Sequence, residues 1–483
     1  MTVAETAFPP LPSRMLVAGD WVDTGSAGTL EPFNPSTGKV AGWLPYAGAE
    51  ELDRAVDGAR TAFVTWRTTP PAERRRVLQR VAELMTTHID ELALLVTRET
   101  GVPISQTPWM VQYGIDWLED AAGWPEKLLG EVAPGGQGNL TYSVHEPYGV
   151  VASIATWNGS VGGFAMCVAP VLAAGCSVVV KPSELAPFGA LRMAEIFTEA
   201  GLPPGVLSVL VGGAELGDRL VRHPGIDKVA FTGGGKAASA IARACADSLV
   251  PCLFELGGKS ASLVFDDADV DRAVAAAMHL TFNAGQTCTV GTRLLVQNGV
   301  YDEFVDKLGQ AMAATAVGDP LAADTAMGPL ISARSLARTL EMIGRAAGDA
   351  RLVTGGEAVS DGPGGFFMRP TLLADVSNTS ELARTEVFGP VGAVIPFGDE
   401  AEAIAIANDT EYGLAAYAYT SDLTRALRVA SALDAGGVGV NGGTVPAGPS
   451  MPFGGRRRSG YGRQGGRAGV MEYINTKTVN ISG

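Results

Sequence analysis

The stretch 150-VVASIATWNGSVGG-163 joins an apolar run to a glycine-rich turn. Val150–Ala155 has the continuous apolar character of a strand buried on both faces, and the turn then opens a helix. The same order recurs downstream, with apolar runs at Val178–Val180, Leu207–Val211, Lys228–Phe231 and Cys252–Phe254 and helical segments at Ala165–Ala174, Phe188–Glu199, Ala214–Val221 and Ala237–Ala246. Such repeated βαβ units predict a doubly wound α/β domain with a parallel sheet.

A second alternation of strands and helices follows Lys259 and predicts another α/β domain. It comprises Ser262–Phe265, a helix from Val270 to about Phe282, Arg293–Gln297, a helix around Val300–Ala314, and then Ala401–Ala407, Leu414–Thr420 and Thr424–Ala432. Two strand-like segments, Asn139–Val144 and Tyr473–Val479, have no neighbour in this pattern. Because unpaired strand edges favour association, we expect a neighbouring subunit to cover them, in a homodimer or homotetramer.

Composition and charge exclude several classes of protein. At 483 residues and 49.8 kDa the chain exceeds one ordinary core, and no run reaches the roughly 18 to 20 apolar residues of a membrane helix. A net charge of −15 and a pI near 4.8 disfavour nucleic acid and anionic membranes as partners. Glu5 stands where a signal peptide would be basic, and the five cysteines form no CxxC pair and no metal-ligand spacing with the four histidines. We therefore expect a cytoplasmic protein without a metal site.

Two residues have the chemistry of an acyl-enzyme mechanism. Cys288 ends the stretch 282-FNAGQTC-288, and Glu255 precedes the turn Leu256-Gly257-Gly258-Lys259. A cysteine attacks a carbonyl as its thiolate, and a nearby carboxylate can activate the water that clears the resulting thioester. Each residue alone has an ordinary structural interpretation, a buried small side chain or the charged end of a strand. Together they predict a reaction with two halves.

The ends of the predicted strands carry candidate cofactor and oxyanion groups. The turn after Val150–Ala155 contains Asn158, whose amide can donate to a developing oxyanion at the carboxyl edge of a parallel sheet. Lys181 and Glu184 follow the next strand, where the ribose of a dinucleotide lies in a doubly wound sheet. Because Glu184 would repel a 2′-phosphate, the sequence favours NAD over NADP, with NADP remaining possible.

The chain resembles the aldehyde dehydrogenase superfamily over nearly its whole length. The resemblance is carried by Trp157-Asn158, Lys181-Pro182-Ser183-Glu184, Phe231-Thr232-Gly233, Glu255-Leu256-Gly257-Gly258-Lys259, Gly285-Gln286-Thr287-Cys288, Met327-Gly328-Pro329-Leu330, Glu386-Val387-Phe388-Gly389-Pro390 and Pro452-Phe453-Gly454-Gly455. It implies a Rossmann-type parallel-sheet cofactor domain (residues 1–127 and 148–255), a second α/β catalytic domain (256–461) and a small β oligomerisation element (128–147 and 462–483).

The resemblance also implies roles for individual residues. Cys288 would be the nucleophile and Glu255 the general base, while the Asn158 amide and the Cys288 backbone N–H would form the oxyanion hole. Lys181 and Glu184 would hold the adenosine ribose. The remaining cofactor-binding residues would be Glu386 on the nicotinamide ribose, Phe388 beside the nicotinamide ring, and Trp157, Gly213, Gly217, Gly233 and Gly234 along the cofactor path.

The predicted activity is therefore NAD-dependent oxidation of an aldehyde to a carboxylic acid. One alternative is a CoA-acylating dehydrogenase, in which a thiol rather than water takes the acyl group, but similar proteins of that branch typically lack the base that Glu255 provides. Another is a noncatalytic NAD-binding protein that keeps only the fold. Retention of Cys288, Glu255 and Asn158 together argues against it.

The chain departs from the family beside Asn158, where an aromatic residue and a proline are common and this sequence has Gly159 and Ser160. With Gly162 and Gly163 on the same segment, we expect a wider substrate tunnel. The residues expected near its mouth include no arginine that could bind a carboxylate; they are Tyr113, Trp117, Met166 and Thr289. The sequence thus predicts a bulky, uncharged, largely apolar aldehyde, such as an aromatic, terpenoid or long aliphatic one, over a semialdehyde acid.

Overall fold

The computed structural model describes residues 10–134, 138–359 and 364–482. The start of the chain, residues 1–9, on which the expectation about a signal peptide rests, lies outside the described residues. The strands are β1 (Met15–Val17), β2 (Asp20–Val22), β3 (Thr29–Leu30), β4 (Phe33–Asn34), β5 (Lys39–Val40), β6 (Leu44–Pro45), β7 (Val132–Ala133), β8 (Asn139–Pro147), β9 (Val150–Ile154), β10 (Ser177–Lys181), β11 (Leu207–Val209), β12 (Lys228–Gly233), β13 (Cys252–Leu256), β14 (Ser260–Val264), β15 (Gly291–Gln297), β16 (Arg351–Thr354), β17 (Thr371–Ala374), β18 (Val391–Phe397), β19 (Ala415–Tyr419), β20 (Gly437–Val440), β21 (Gly460–Tyr461) and β22 (Ile474–Ser482).

The α-helices alternate with these strands through most of the chain. They are α1 (Ala49–Trp66), α2 (Pro71–Thr87), α3 (Ile89–Thr100), α4 (Thr107–Ala122), α5 (Gly162–Ala174), α6 (Phe188–Glu199), α7 (Ala214–Arg222), α8 (Gly235–Ala246), α9 (Val270–Ala277), α10 (Tyr301–Ala313), α11 (Ala333–Ala346), α12 (Glu381–Arg384), α13 (Glu400–Asn408), α14 (Leu423–Ala432) and α15 (Gly466–Met471).

The first large sheet has eight strands in the order β2-β1-β11-β10-β9-β12-β13-β21. Its five central strands are parallel, and the flanking strands β1, β2 and β21 join antiparallel. All residues of β9, β10 and β11 are buried, as their continuous apolar runs require for a sheet covered on both faces. This confirms the predicted doubly wound α/β architecture, whose carboxyl edge carries the turns with the candidate cofactor residues.

The second large sheet has seven strands in the order β16-β17-β18-β15-β14-β19-β20. All neighbours are parallel except the edge strand β16, so a second α/β layer is confirmed. The helix expected from Val270 to about Phe282 ends at Ala277 and tightens into a 3₁₀ segment, which Phe282 leaves with φ −62° and ψ 129°.

The two unpaired segments of the sequence pair with each other. Strand β22 runs antiparallel to β8 from Ile474 opposite Pro147 to Ser482 opposite Asn139, and β7 completes a three-stranded sheet. A neighbouring subunit is therefore not needed to give either strand its partner, contrary to the argument from unpaired edges. The homo-oligomer stays a prediction. No helix among the described residues combines the length and the apolar character needed to span a membrane.

The proposed domain boundaries remain predictions, with one structural observation that bears on them. The segment after residue 461 was assigned to the oligomerisation element, yet Val470, Tyr473 and Ile474 pack in the apolar core of the eight-stranded sheet. The end of the chain thus ties the three-stranded sheet to the first large sheet.

Candidate active site

A cavity of about 860 Å³ is lined by residues of both large sheets and of the loops between them. It brings together the predicted catalytic residues Cys288, Glu255 and Asn158, which are distant in sequence. Of the predicted cofactor residues, the cavity lining includes Trp157, Gly233, Gly234, Glu386 and Phe388. The structure therefore brings these residues, which are predicted from separate motifs, into one cavity.

Cys288 follows a loop with an unusual backbone. Asn283, Ala284 and Gly285 all have positive φ, and a side chain at Gly285 would place its Cβ 2.3 Å from the carbonyl oxygen of Gly389. This close approach packs the loop against the chain that carries Phe388. The half-buried thiol lies at the end of the loop, and burial, with the charges of Glu386 and Glu255, raises the pKa of Cys288 to about 12. The raised pKa favours the protonated form of the thiol.

Gln286 fixes this loop and was not predicted from the sequence. Its fully buried side chain donates from Nε2 to the carbonyl oxygens of Asn283 and Pro329, and its Oε1 accepts from the backbone N–H of Ile331. The motif Met327-Gly328-Pro329-Leu330 thus supports the nucleophile loop. A glutamine preceding a candidate nucleophile by two residues was the available signal, but only the fold shows what it contacts.

Asn158 is joined to the same loop. Its Nδ2 donates to the backbone oxygen of Gln286 at 2.9 Å. A side-chain amide has two N–H groups, so one remains for a ligand. The amide is held beside the cysteine loop, as an oxyanion-hole donor would need to be.

Glu255 is the last residue but one of strand β13 and lines the cavity. It is buried, and neither of its carboxylate oxygens has a hydrogen-bond partner among the described residues. Burial raises the pKa of Glu255 well above its usual value, while the positive charge of Arg463 lowers it and the negative charge of Glu472 raises it further. A carboxylate with unused acceptor atoms and a raised pKa has the properties of a general base.

Glu386 and Phe388 face Glu255 and Cys288 from another loop. The backbone N–H of Gly258 donates to Oε1 of Glu386 at 3.1 Å, and a Cβ at Gly257 would lie 2.1 Å from the same carboxylate. The Gly257-Gly258 pair is therefore needed for Glu386 to approach the chain. Phe388 has a φ of +54° and meets the ring of Trp157 edge-on, with 5.5 Å between ring centroids.

The other predicted cofactor residues form a second group at the carboxyl edge of the first sheet, outside the described cavity lining. Lys181 Nζ donates to the carbonyl oxygens of Pro182 and Gly212 and lies 3.4 Å from the carboxylate of Glu184. Gly217 lies next to the Lys181 side chain, whereas a Cβ at Gly213 would lie 2.5 Å from the Tyr46 hydroxyl. These residues are placed together, as the predicted ribose site requires.

The turn between β12 and α8 fits the phosphates of a dinucleotide. Helix α8 begins at Gly235 with Gly234 as its N-cap, and no side chain caps it. Added Cβ atoms at Gly234 and Gly235 would meet nothing within 4 Å, so open space lies before the helix N-terminus. Uncapped N–H groups with free space in front of them are the donors that a pyrophosphate uses.

The mouth of the cavity is more aromatic than the sequence predicts. Trp109 is exposed and meets Phe282 edge-on at 5.6 Å, and Phe282 stacks on His279 at 5.0 Å. Of the residues expected near the mouth, Tyr113, Met166 and Thr289 line the cavity. Trp117 does not; it is buried behind Tyr113, with ring centroids 5.8 Å apart.

The glycines beside Asn158 do not all widen the tunnel. A Cβ at Gly162 would lie 2.5 Å from the carbonyl oxygen of Met110, so this glycine allows α5 to pack closely on α4. At Gly159 an added Cβ would touch Gly163 at 3.2 Å. At Gly163 it would meet nothing within 4 Å. Only Gly163 among these three leaves open space, so the expectation of a tunnel widened at Gly162 is wrong.

Comparison with known proteins agrees with this geometry. The model of the aldehyde dehydrogenase family matches residues 21–479. The succinate-semialdehyde dehydrogenase [NADP(+)] of Escherichia coli is 39% identical over 472 residues, 97% of each chain, and a glutarate-semialdehyde dehydrogenase of Pseudomonas aeruginosa is 40% identical over 471 residues, again 97% of each chain. The structure of betaine aldehyde dehydrogenase from Staphylococcus aureus in complex with NAD⁺ is 33% identical and covers 98% of this chain and 95% of that one, with a TM-score of 0.95. The family match across nearly the whole chain shows that this protein belongs to the aldehyde dehydrogenase family of oxidoreductases.

Proposed function

We propose that this protein oxidises an uncharged aldehyde to a carboxylic acid through a thioester on Cys288, with Glu255 as the general base and NAD as the preferred cofactor. The observation that carries the proposal is the unpaired carboxylate of Glu255 in the same cavity as Cys288 and the Asn158 amide. Each group has a distinct role in the two halves of the reaction.

In the first half, the Cys288 thiol gives its proton to solvent water, and the resulting thiolate sulfur adds to the aldehyde carbon. The negative oxygen that forms would accept hydrogen bonds from the free Asn158 N–H and the Cys288 backbone N–H. The nicotinamide cofactor supplies the acceptor for the hydride that leaves this carbon, so that a thioester remains on Cys288. Glu386 and Phe388 would position the cofactor beside the sulfur.

In the second half, water replaces the sulfur. Glu255 takes a proton from a water molecule while the water oxygen attacks the thioester carbon. The bond between this carbon and the Cys288 sulfur then breaks, which releases the carboxylic acid. In the CoA-acylating alternative a thiol would take the acyl group, and an unpaired buried carboxylate would have no such role. The position of Glu255 therefore supports hydrolysis.

Glu255→Gln tests this division. Hydride transfer requires no carboxylate, whereas hydrolysis does, so we expect a burst of NADH close to one per active site and then a steady-state rate reduced by about 10²-fold or more. Rapid-mixing absorbance measures both phases, and Cys288→Ala, which should show neither, is the control. Equal loss of both phases in Glu255→Gln would contradict the role of Glu255 as the hydrolytic base.

The names of the relatives favour a different substrate from the one expected from the sequence. Succinate semialdehyde and glutarate semialdehyde are small and carry a carboxylate, which an enzyme binds best with an arginine. Among the described residues that line the cavity, the one Lys or Arg is Arg338, whose Nη2 donates to the carbonyl oxygen of Val387 next to Glu386. His279 does not replace it, because burial lowers the pKa of this imidazole.

The aromatic mouth supports an uncharged, apolar aldehyde, and so does the finding that the described part of the cavity wall holds no lysine or arginine besides Arg338. The mouth also includes Asp116, which would repel an acidic substrate. The relatives do not favour one cofactor. The Escherichia coli enzyme is named for NADP(+), whereas the Staphylococcus aureus structure is a complex with NAD⁺. Glu184 beside Lys181 supports NAD, because a 2′-phosphate would meet its charge.

A panel of aldehydes, each assayed with NAD and with NADP, tests both the proposed substrate class and the proposed cofactor. We expect kcat/KM to be highest for benzaldehyde, a long alkanal or a cyclic terpenoid aldehyde, lower for acetaldehyde, and lowest for succinate semialdehyde, with NAD giving the higher value for each. Glu184→Gln should narrow the difference between NAD and NADP without changing the order of the aldehydes. Highest efficiency with acetaldehyde or succinate semialdehyde, or with NADP in the wild type, would reject the corresponding choice.

A further inference from the structure

A row of alternating charges leads from the three-stranded sheet toward Glu255. Lys228 Nζ is buried at the start of β12 and lies 3.1 Å from Oε2 of Glu472. The same ammonium lies over the rings of Tyr148 and Tyr473, at 5.2 and 5.7 Å from their centroids. The carboxylate and the two aromatic rings together restrain the position of the Lys228 ammonium. Glu472 is therefore anchored at one of its oxygens.

The other oxygen of Glu472 holds the chain at Arg463. Oε1 accepts from the backbone N–H of Arg463 at 3.1 Å. The Arg463 guanidinium is held in turn, because its Nη1 donates to the carbonyl oxygens of Gly462 at 2.6 Å and Gly455 at 3.0 Å. Backbone and side chain of Arg463 are thus both restrained.

The side chains of Arg463 and Glu255 lie on either side of Gly454. A Cβ built on Gly454 would lie 2.7 Å from Oε1 of Glu255 and 3.0 Å from Cδ of Arg463. The carboxylate and the arginine side chain therefore flank one point, and Gly454 leaves that point empty. Any side chain there would intrude between the two groups.

The remaining titratable groups around Glu255 do not supply a positive charge. They are the carboxylate of Glu472, the thiols of Cys167 and Cys288, and the phenols of Tyr113 and Tyr473. Arg463 is the cation that opposes the effect of burial on Glu255. A carboxyl group buried without a cation or a hydrogen bond would be protonated and could not accept a proton from water.

We propose that Arg463 is a positioning residue whose positive charge favours the ionised form of Glu255 during hydrolysis of the thioester, and that Glu472, anchored by Lys228, holds Arg463 in place. The proposal rests on the proposed role of Glu255 as the hydrolytic base. The proposal also explains why a glycine stands at position 454. Its lack of a side chain lets Glu255 and Arg463 approach each other.

The test measures the pH dependence of hydrolysis in the full-length protein. p-Nitrophenyl acetate is an activated ester that we expect to acylate Cys288 without any cofactor, so that the steady-state release of p-nitrophenolate follows hydrolysis of the acyl-enzyme. The variants are Arg463→Gln and Arg463→Met, both neutral, and Arg463→Lys, which keeps the charge. Arg467→Gln removes an exposed arginine nearby and is the matched control.

Removal of the positive charge disfavours the ionised carboxylate, so Glu255 should become active only at a higher pH. We expect the acid limb of the rate profile to move upward by about one pH unit in both neutral variants. Arg463→Lys should keep most of the wild-type profile, and Arg467→Gln should keep all of it. The initial burst of p-nitrophenolate should retain its amplitude, because acylation does not require the base.

Three outcomes distinguish a failure of the role proposed for Arg463 from a failure of the role proposed for Glu255. An unchanged acid limb in a folded neutral variant would overturn the role of Arg463, and so would an Arg463→Lys profile equal to that of Arg463→Gln. Arg463→Met keeps an apolar stem of similar length, so it remains informative if Arg463→Gln does not fold. If Glu255→Gln hydrolyses the acyl-enzyme with the wild-type acid limb, the assignment of the base itself fails.

Discussion

At the scale of single residues, burial favours the uncharged forms of both the candidate nucleophile and the candidate base, and for the base the positive charge of Arg463 opposes this effect. The pKa of Cys288 is raised to about 12, and that of Glu255 well above its usual value. Two negative groups in one cavity would repel each other, which favours the protonated thiol in the absence of a bound cofactor. The positive ring of an oxidised nicotinamide would counter this, since an opposite charge favours the thiolate.

This arrangement predicts a slow reaction of Cys288 with alkylating agents. Because the folded thiol has a pKa above that of an ordinary cysteine, its thiolate fraction is small at neutral pH and rises about tenfold per pH unit. We expect inactivation by iodoacetamide to follow that slope without a plateau below pH 10, and to accelerate when NAD⁺ is added. A plateau near pH 8 without cofactor would contradict a raised pKa. Mass spectrometry with Cys288→Ala as control identifies the modified site.

The sequence predicts roles for Cys288 and Glu255 because their side chains carry the chemistry directly. It did not identify Gln286 or Arg463, whose importance lies in what they contact. Gln286 bonds to backbone atoms of Pro329 and Ile331, and Arg463 acts across Gly454. Such contacts join residues that are distant in sequence, so side-chain chemistry and spacing alone do not reveal them.

At the scale of elements, the contact between α4 and α5 depends on Gly162. Its missing side chain lets the carbonyl oxygen of Met110 approach, whereas Gly163, one position later, faces open space. The two glycines are adjacent in sequence and belong to the same helix turn. Their environments nevertheless differ because successive helix positions point in directions about 100° apart.

Alanine at these two positions should therefore have opposite effects. Gly162→Ala forces a backbone shift, and we expect a loss of about 1–3 kcal/mol in the free energy of unfolding. Gly163→Ala should be neutral or stabilising by up to about 1 kcal/mol, because alanine favours the helix. Its Cβ should narrow the cavity and lower kcat/KM for the bulkiest aldehyde more than for acetaldehyde. Denaturant unfolding and steady-state kinetics measure both effects, and a destabilised Gly163→Ala with normal Gly162→Ala would refute the assignment.

At the scale of the whole molecule, the three-stranded sheet is linked to the active site. Strand β22 begins one residue after Tyr473, whose ring contacts Lys228, and Lys228 bonds to Glu472. The backbone N–H of Tyr148 also donates to the carbonyl oxygen of Tyr473 at 3.1 Å, at the point where β8 and β22 leave the first large sheet. Tyr473, Lys228 and Glu472 thus link the three-stranded sheet to the segment that carries Arg463.

The sequence by itself determined the α/β class and the two parallel sheets, and it predicted the nucleophile–base pair. Apolar periodicity is local, and strands buried on both faces must be continuously apolar, so runs such as Val150–Ile154 are readable without a structure. Family motifs likewise occupy short stretches. The domain boundaries and the roles of individual site residues, which rest on these motifs, stay predictions.

Only the tertiary structure decided which strands pair and what the cavity wall contains. The segments at Asn139 and Tyr473 looked like separate edges, but they pair with each other, because pairing joins residues more than 300 positions apart. Gly162 looked like room for a substrate, yet another helix fills that space. A sequence specifies which side chains are present, whereas the free volume beside a backbone depends on neighbours that the fold brings in from elsewhere in the chain.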